Sequence, residues 1–514
     1  MATCKTTGPI ARRLFCATLV LLASSCAPSP APTAEAAPSP TPAVMLAPTP
    51  APARFEKVDC EFPKFSGMGR IECGFLSVPE DRGQPGGPLI KLHVAIVRSS
   101  SPQPASDPVV YLHGGFGGEA LSMLQYQLPL FREVFAGRDG IVFDQRGGGY
   151  SQPSLNCPEI EDQLYQDFTQ NLTREEAQQH YAQAAQACHD RLVGEGVDLA
   201  AYTSAANAAD VNDLRVALGY AEWNLYGISY GTRLALTVMR DFPAGVRSVI
   251  LDSVYPPQVD IDAELVGNAE RAFDLLFDRC AADAGCNAAY PDLKTVFIDT
   301  IAQLDANPMT LDLTRPKTGN SYAVVVNGDR LIRAFFQLLY STDTLPYLPK
   351  MIYELHAGRA DMIRQHPIRI AFSADYVSEG VGFSVKCSEE TSFSSPQAVA
   401  TANAAVFPRL RDASDDTLLF TVCAGWGVKP AAAIENQPVV SAIPTLILAG
   451  DSDPVTPPRW GWSAAETLSK SYYFEFPGVG HGVLGAGTWG SCSKSMLSAF
   501  LADPASVPDS TCLS

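Results

Sequence analysis

Basic residues are scarce and scattered. Lysine and arginine number 37 against 55 acidic residues, for a formal charge of −18, and no basic run occurs beyond Arg12 and Arg13. That balance argues against a polyanionic partner, so no nucleic acid is expected. Neither Cys-x-x-Cys nor His-Glu-x-x-His occurs. The closely spaced ligands of a zinc site are therefore missing, and no metal is expected. No internal repeat recurs at solenoid or propeller spacing. The apolar stretch near the start, Leu14 to Ala23, is shorter than the ~20 residues that cross a bilayer.

What that stretch fits is a signal peptide over residues 1–26: Lys5, Arg12 and Arg13 precede it and small residues follow it, which predicts export. The segment Ala23-Ser24-Ser25-Cys26 resembles the lipobox of bacterial lipoproteins, with alanine where leucine is commoner. The expectation is a lipid anchor on Cys26, the only membrane contact foreseen, with ordinary cleavage and secretion as the alternative. Residues 27–53 are rich in Pro, Ala and Thr and predict an extended tether without a core. Beyond it stand Cys60, Cys73, Cys157, Cys188, Cys280, Cys286, Cys387, Cys423, Cys492 and Cys512. An even set suits an oxidising compartment. Pairing in chain order would close five local loops, but the sequence leaves connectivity open.

Over the rest, short apolar runs alternate with helical stretches: "LIKLHVAIV" (89–97), "PVVYLHGG" (108–115), "GIVFDQRG" (140–147), "WNLYGIS" (223–229), "VRSVILDSV" (246–254), "IPTLILAGD" (443–451) and "YYFEFPGVGH" (472–481). The pattern predicts an α/β fold with a mostly parallel sheet covered on both faces. Residues 54–256 and 441–514 would form the core, and 257–440 a helical cap. Within the cap, Leu293, Val296, Phe297, Ile301 and Leu304 share one helical face, as do Leu331, Phe335, Leu338 and Leu339. A polar helix at 174–193, opened by Thr173 with Glu176 three positions on, reads as surface dressing.

Chemistry concentrates at Gly227-Ile228-Ser229-Tyr230-Gly231, a G-x-S-x-G between a strand and a helix-prone segment. Such a serine sits on a strained turn with its hydroxyl exposed, and the glycines allow close packing. The pentapeptide alone is a weak signal, and a tight turn is the plain alternative. A serine also needs a base, and His481 is the only histidine after Ile443, in a loop directly after a strand. The acid that steadies the ring should follow the preceding strand. Asp453 is preferred there, with Asp451 read as a turn residue and Asp252 ranked below both. The oxyanion amides are expected from Tyr230, next after the serine, and from the loop "HGGFGG" (113–118). Such a site requires no cofactor.

Together "YLHGGFGG", "VFDQRGGGYSQPS", "WNLYGISYGTRLAL", "VILDSVYPP", "GDSDPVTPP" and "GVGHG" resemble the proline iminopeptidase and tripeptidyl aminopeptidase family of α/β-hydrolases, especially its exported tripeptidyl-aminopeptidase-like branch. The family usually has proline where Phe116 stands, so the second oxyanion donor is assigned to Gly115, and Phe116 should alter the lining of the site. Asp144 and Arg146 of "DQRG" are read as a buried ion pair. The resemblance implies peptide substrates with a free N-terminus. Their protonated amine needs an anionic wall, for which Glu389 and Glu390 in "FSVKCSEETSF" are candidates and Glu119 the runner-up. The plain alternative is that these are solvated surface carboxylates. An exported carboxylesterase is the rival reading, and a non-catalytic binding protein on the same scaffold a more distant one.

Overall fold

The computed structural model describes residues 53–63, 70–84, 86–315, 317–365, 376–414 and 417–513. The signal peptide, Cys26 and the tether, apart from Ala53, lie outside these residues. Eleven strands form among them: β1 (Arg54–Val58), β2 (Ile71–Pro79), β3 (Leu89–Val97), β4 (Ala105–Leu112), β5 (Arg138–Phe143), β6 (Trp223–Ser229), β7 (Val246–Val254), β8 (Met309–Thr314), β9 (Ser321–Val326), β10 (Thr445–Gly450) and β11 (Ser471–Phe476). Nine of them share one sheet in the order β1-β2-β3-β5-β4-β6-β7-β10-β11, and β8 and β9 pair apart. The pairings β1/β2, β2/β3 and β3/β5 are antiparallel. From β5 through β4, β6, β7 and β10 to β11 every pairing is parallel.

The central strands are apolar throughout because both faces are covered. Side chains of one strand alternate between two cores. Leu225, Val249, Leu251 and Ile447 pack on one face, whereas Tyr226, Ile250, Leu446 and Leu448 pack on the other. The parallel run brings the carboxyl ends of β4, β6, β7, β10 and β11 to one edge of the sheet. Since β5 lies on one side of β4 and β6 on the other, the crevice between the β4 and β6 loops is where such a sheet binds ligands.

Between β7 and β10, the helices Ile261–Ala282, Leu293–Ala306, Gly328–Leu339 and Leu348–His356 build a separate core that includes Phe273, Phe297, Phe335 and Met351. The two helical faces expected from the sequence are buried in it. The hairpin β8/β9 was not expected. In "MTLDLT", Leu311 and Leu313 point inward while Thr310, Asp312 and Thr314 are exposed, a strand period in a segment read as helical.

The helix Arg174–Gly194 opens with the predicted capping box on Thr173. It is more than surface dressing: Ala184, Ala185, Cys188 and Leu192 pack with Phe383, Leu419 and Trp426 from the returning end of the insertion. All five disulfides pair in chain order: Cys60–Cys73, Cys157–Cys188, Cys280–Cys286, Cys387–Cys423 and Cys492–Cys512. Among the described residues no helix is long and apolar enough to cross a membrane.

Candidate active site

Ser229 ends β6 with φ 55° and ψ −127°, then the helix Tyr230–Asp241 begins. A positive φ is uncommon outside glycine and persists where the surroundings over-determine it. Here they do. A Cβ at Gly231 would lie 1.9 Å from the carbonyl oxygen of Leu112, and one at Gly227 would lie 2.3 Å from that of Gly231. The turn is further tied by Thr232, whose hydroxyl donates to the Ser229 carbonyl (2.6 Å) and accepts from the Tyr255 amide (2.8 Å).

The loop after β4 folds over this turn. A Cβ built on Gly114 would stand 2.9 Å from the Ser229 Cβ. Gly115 has φ 74°, and among the described residues the amides of Gly115 and Phe116 donate to no backbone carbonyl. The Phe116 ring stacks against Tyr230 at 4.6 Å between centroids, with the Lys386 ammonium 5.2 Å above it.

His481 and Asp453 meet at the same sheet edge, with the imidazole Nδ1 2.8 Å from a carboxylate oxygen. Asp453 is fully buried. It also accepts from the Val455 amide (2.8 Å), the Thr456 amide (2.9 Å) and the Thr456 hydroxyl (2.7 Å). Burial opposes its ionisation, but His481 and these donors outweigh that and hold its carboxyl below the ordinary value. Burial likewise opposes protonation of His481. Asp453, with a contribution from Asp252, overcomes it and raises the imidazole. A carboxylate on Nδ1 makes that nitrogen the proton carrier and leaves Nε2 as the base.

The His481 amide donates to the Tyr340 carbonyl of the cap (2.8 Å), whose ring stands edge-on to the imidazole at 5.1 Å. Beyond the histidine, a Cβ on Gly482 would lie 3.1 Å from Ile228 Cδ1, so the loop sits beside the residue preceding Ser229. Among the described residues no hydrogen bond joins the Ser229 hydroxyl to the imidazole. In unliganded serine hydrolases that contact is often long and tightens in the substrate complex.

Asp451 takes no part in this pair. It accepts from the Gly478 amide (2.8 Å) and from Ser452, and pairs with Arg279 of the cap. Asp252 makes no hydrogen bond to the ring and accepts from amides beyond it.

Glu389 and Glu390 are buried, at 1% and 6% exposure, and so are not solvated surface carboxylates. Glu389 accepts from the Ser204 amide and hydroxyl, both at 2.6 Å, and that hydroxyl is 2.8 Å from the Tyr230 phenol. Arg233, buried in the helix after Ser229, lies 3.5 Å from Glu389 and 3.0 Å from Glu390. Burial pushes the Glu390 carboxyl up to about 8 despite that guanidinium. Glu119 is also buried and accepts from Ser122 (2.7 Å) and Asn156 (3.0 Å). It lines a cleft of about 450 Å³ with Tyr150, Lys317 and Tyr376.

The expected pair within "DQRG" is wrong, although both residues are fully buried. Arg146 pairs with Asp210 (2.7 Å), whereas Asp144 accepts the amides of Leu121 (2.9 Å) and Tyr150 (2.8 Å). Arg233 and Tyr340 were missed. An arginine within a helix buried on nearly all sides signals an acidic partner, but nothing in the sequence around Tyr340 marks it. Cys157, Glu159 and Cys188 cluster, yet both sulfurs are in the disulfide and Glu159 is on Arg191, so the group offers no thiolate ligand.

Residues 107–284 match the family described as alpha/beta hydrolase fold, and residues 412–512 the family described as TAP-like protein. Serine protease Hip1 of Mycobacterium tuberculosis is 26% identical over 475 residues, covering 85% of this chain and 86% of that protein. The tripeptidyl aminopeptidase of Streptomyces lividans is 29% identical over 199 residues, 37% of this chain and 36% of its own. Carboxylesterase B of Mycobacterium tuberculosis is 26% identical over 440 residues, 80% of each chain.

Proposed function

Since the chain belongs to the α/β-hydrolases and carries a TAP-like C-terminal segment, we propose that it is an exported serine peptidase that releases short peptides or single residues from free N-termini. One observation carries the reading. The strained Ser229 and the hydrogen-bonded pair His481–Asp453 stand at the same edge of the parallel sheet, beside a loop with unclaimed amides. Ser229 attacks the scissile carbonyl as His481 takes its proton. Asp453 stabilises the imidazolium, and the amides of Gly115 and Tyr230 hold the oxyanion. His481 then protonates the leaving amine, and water releases the acyl group by the same route.

The terminal amine is assigned to the buried acids at the root of the cap. Two carboxylates share one guanidinium there, with Arg233 Nη1 3.0 Å from Glu390 Oε1. Glu389, whose oxygens are taken by Ser204, holds the wall in place, and Glu390 is assigned the amine. Export is supported by the five disulfides, which persist in oxidising compartments. Whether Cys26 is lipidated would be read from the mass of the mature N-terminal peptide.

The test compares a free-amine tripeptidyl chromogenic substrate, its N-acetylated form and an acyl nitrophenyl ester. The free-amine substrate should be cleaved and the acetylated one refused, and Ser229→Ala should abolish cleavage. A Ser229→Ala enzyme keeping more than a few per cent of activity removes the serine from its role. Equal turnover of the acetylated peptide, with faster ester cleavage, would favour an esterase, which the carboxylesterase B relative supports.

A further inference from the structure

β7 ends in Leu251-Asp252-Ser253-Val254, and the chemistry above uses neither polar side chain. Both are fully buried. The Asp252 carboxylate accepts from the Val483 amide (2.7 Å), the Leu484 amide (3.0 Å) and the Tyr226 hydroxyl (3.0 Å). Ser253 accepts from the Gly482 amide (2.8 Å). Three successive N–H groups directly after His481 are thus held by two neighbouring side chains of one strand.

The backbone is bent to allow this. Ile228 pairs with Asp252 and Ser229 with Val254, so Ser253 is the extra residue of a bulge opposite the serine turn, at φ 58°. Bulges re-aim side chains beside active sites, and a positive φ at serine is strain that something must hold. Ahead of the histidine the loop is fixed by the cap: Gly480 donates to Thr342 (3.1 Å) and His481 to the Tyr340 carbonyl (2.8 Å). The ring is therefore gripped from both sides.

We propose that Asp252, assisted by Ser253, is a positioning residue for the reaction: it anchors residues 482–484 and so sets the His481 ring over the Ser229 turn, adding a second negative charge behind it. The proposal rests on His481 being the base. Burial raises the Asp252 carboxyl above its ordinary value, while the Val483 and Leu484 amides, the Tyr226 hydroxyl and His481 favour its ionised form, and only donors face it. The groups around the imidazole are Asp453 on Nδ1, the Thr456 hydroxyl at 3.2 Å from Nδ1, the Tyr340 ring from the cap, and Asp252 from β7. The Arg271 guanidinium lies on the carbonyls of Asp451 and Asp453.

The experiment measures kcat, KM and the pH dependence of kcat/KM on a free-amine tripeptidyl substrate for the full enzyme, Asp252→Asn and Ser253→Ala. Asparagine keeps an acceptor and removes the charge. It should lower kcat about 10- to 100-fold with KM within about twofold, because a misplaced base impairs the transition state more than binding. Loss of the anion disfavours the imidazolium, so the acid limb should move to lower pH. Ser253→Ala keeps the charge, so it should lower kcat without moving the limb, and it carries the test if Asp252→Asn does not fold. Unchanged kcat in the variants, or a kcat loss in Asp252→Asn with the acid limb unmoved, overturns the proposal. If His481→Ala itself stays active, the reading of the site fails instead; if it is dead while Asp252→Asn matches the parent, only the clamp falls.

Discussion

A side chain added at residue 231 has nowhere to go. Its Cβ would lie 1.9 Å from the carbonyl oxygen of Leu112, the last residue of β4, and 3.0 Å from that of His113 just beyond it. The neighbouring backbone can yield only by parting β4 from the serine turn. Gly231→Ala should therefore destabilise by about 3 kcal/mol, the upper end for overpacking, and slow fluorophosphonate labelling of Ser229 more than 100-fold, an order-of-magnitude estimate for a displaced nucleophile. Gly194→Ala is the control, since an added Cβ there meets nothing within 4 Å. Equal labelling rates in the two variants would show that the turn tolerates the shift. At this scale the site was readable where chemistry demands a residue type at a fixed place. The positive φ at Ser229 and the His481–Asp453 hydrogen bond fall where the motifs placed those residue types. It was unreadable where a partner is chosen by the fold alone: the Arg146 pairing with Asp210 and the Tyr340 contact with His481 join segments with no common motif.

At the scale of elements, the central strands were plain because burial on both faces leaves continuous apolar runs. β1 and β2 were not, since the β1 side chains are largely exposed and mixed in character. The hairpin β8/β9 hid for a similar reason: two six-residue strands are too short to outweigh the helical stretches around them. What docks that hairpin is electrostatic. Arg315, at its turn, pairs with Glu161 of the helix Pro158–Phe168 (2.6 Å), both at or below 5% side-chain exposure, and its guanidinium lies over the Tyr165 ring at 4.5 Å. Lys317 adds a second cation to Glu161 (3.0 Å). Glu161→Gln would remove one of the two anions on a buried guanidinium that keeps Asp162 (2.8 Å), at a cost of about 2 kcal/mol. Hydrogen exchange should quicken in β8, β9 and residues 158–168 and stay unchanged in β6 and β10. Uniform acceleration would mean that the cap and sheet unfold as one unit.

For the whole molecule, the pH range of stability is set by groups that folding buries in one protonation state. His93, in the centre of β3, is fully buried among Phe62, Phe75 and Tyr150, and among the described residues neither ring nitrogen has a hydrogen-bond partner. Burial lowers its imidazole from 6.5 to about 4. In the unfolded chain the ring protonates first as pH falls, so stability is full above the unfolded value, declines between the two and is flat below the lower one. The gap corresponds to roughly 3 kcal/mol, with little solvent screening to reduce it. Asp144 opposes this: burial raises its carboxyl to about 7, so its ionisation weakens the fold as pH rises toward neutrality. His93→Phe keeps an aromatic ring in the cluster and removes the proton site. Denaturation midpoints near pH 7.5 and near pH 4.5, taken for parent and variant, isolate the histidine, because every other group is common to both. The parent should lose about 2.5 kcal/mol more than the variant across that interval, which stops short of the folded value. Equal losses would mean that the ring accepts its proton without leaving the core, and that acid lability of this fold arises elsewhere.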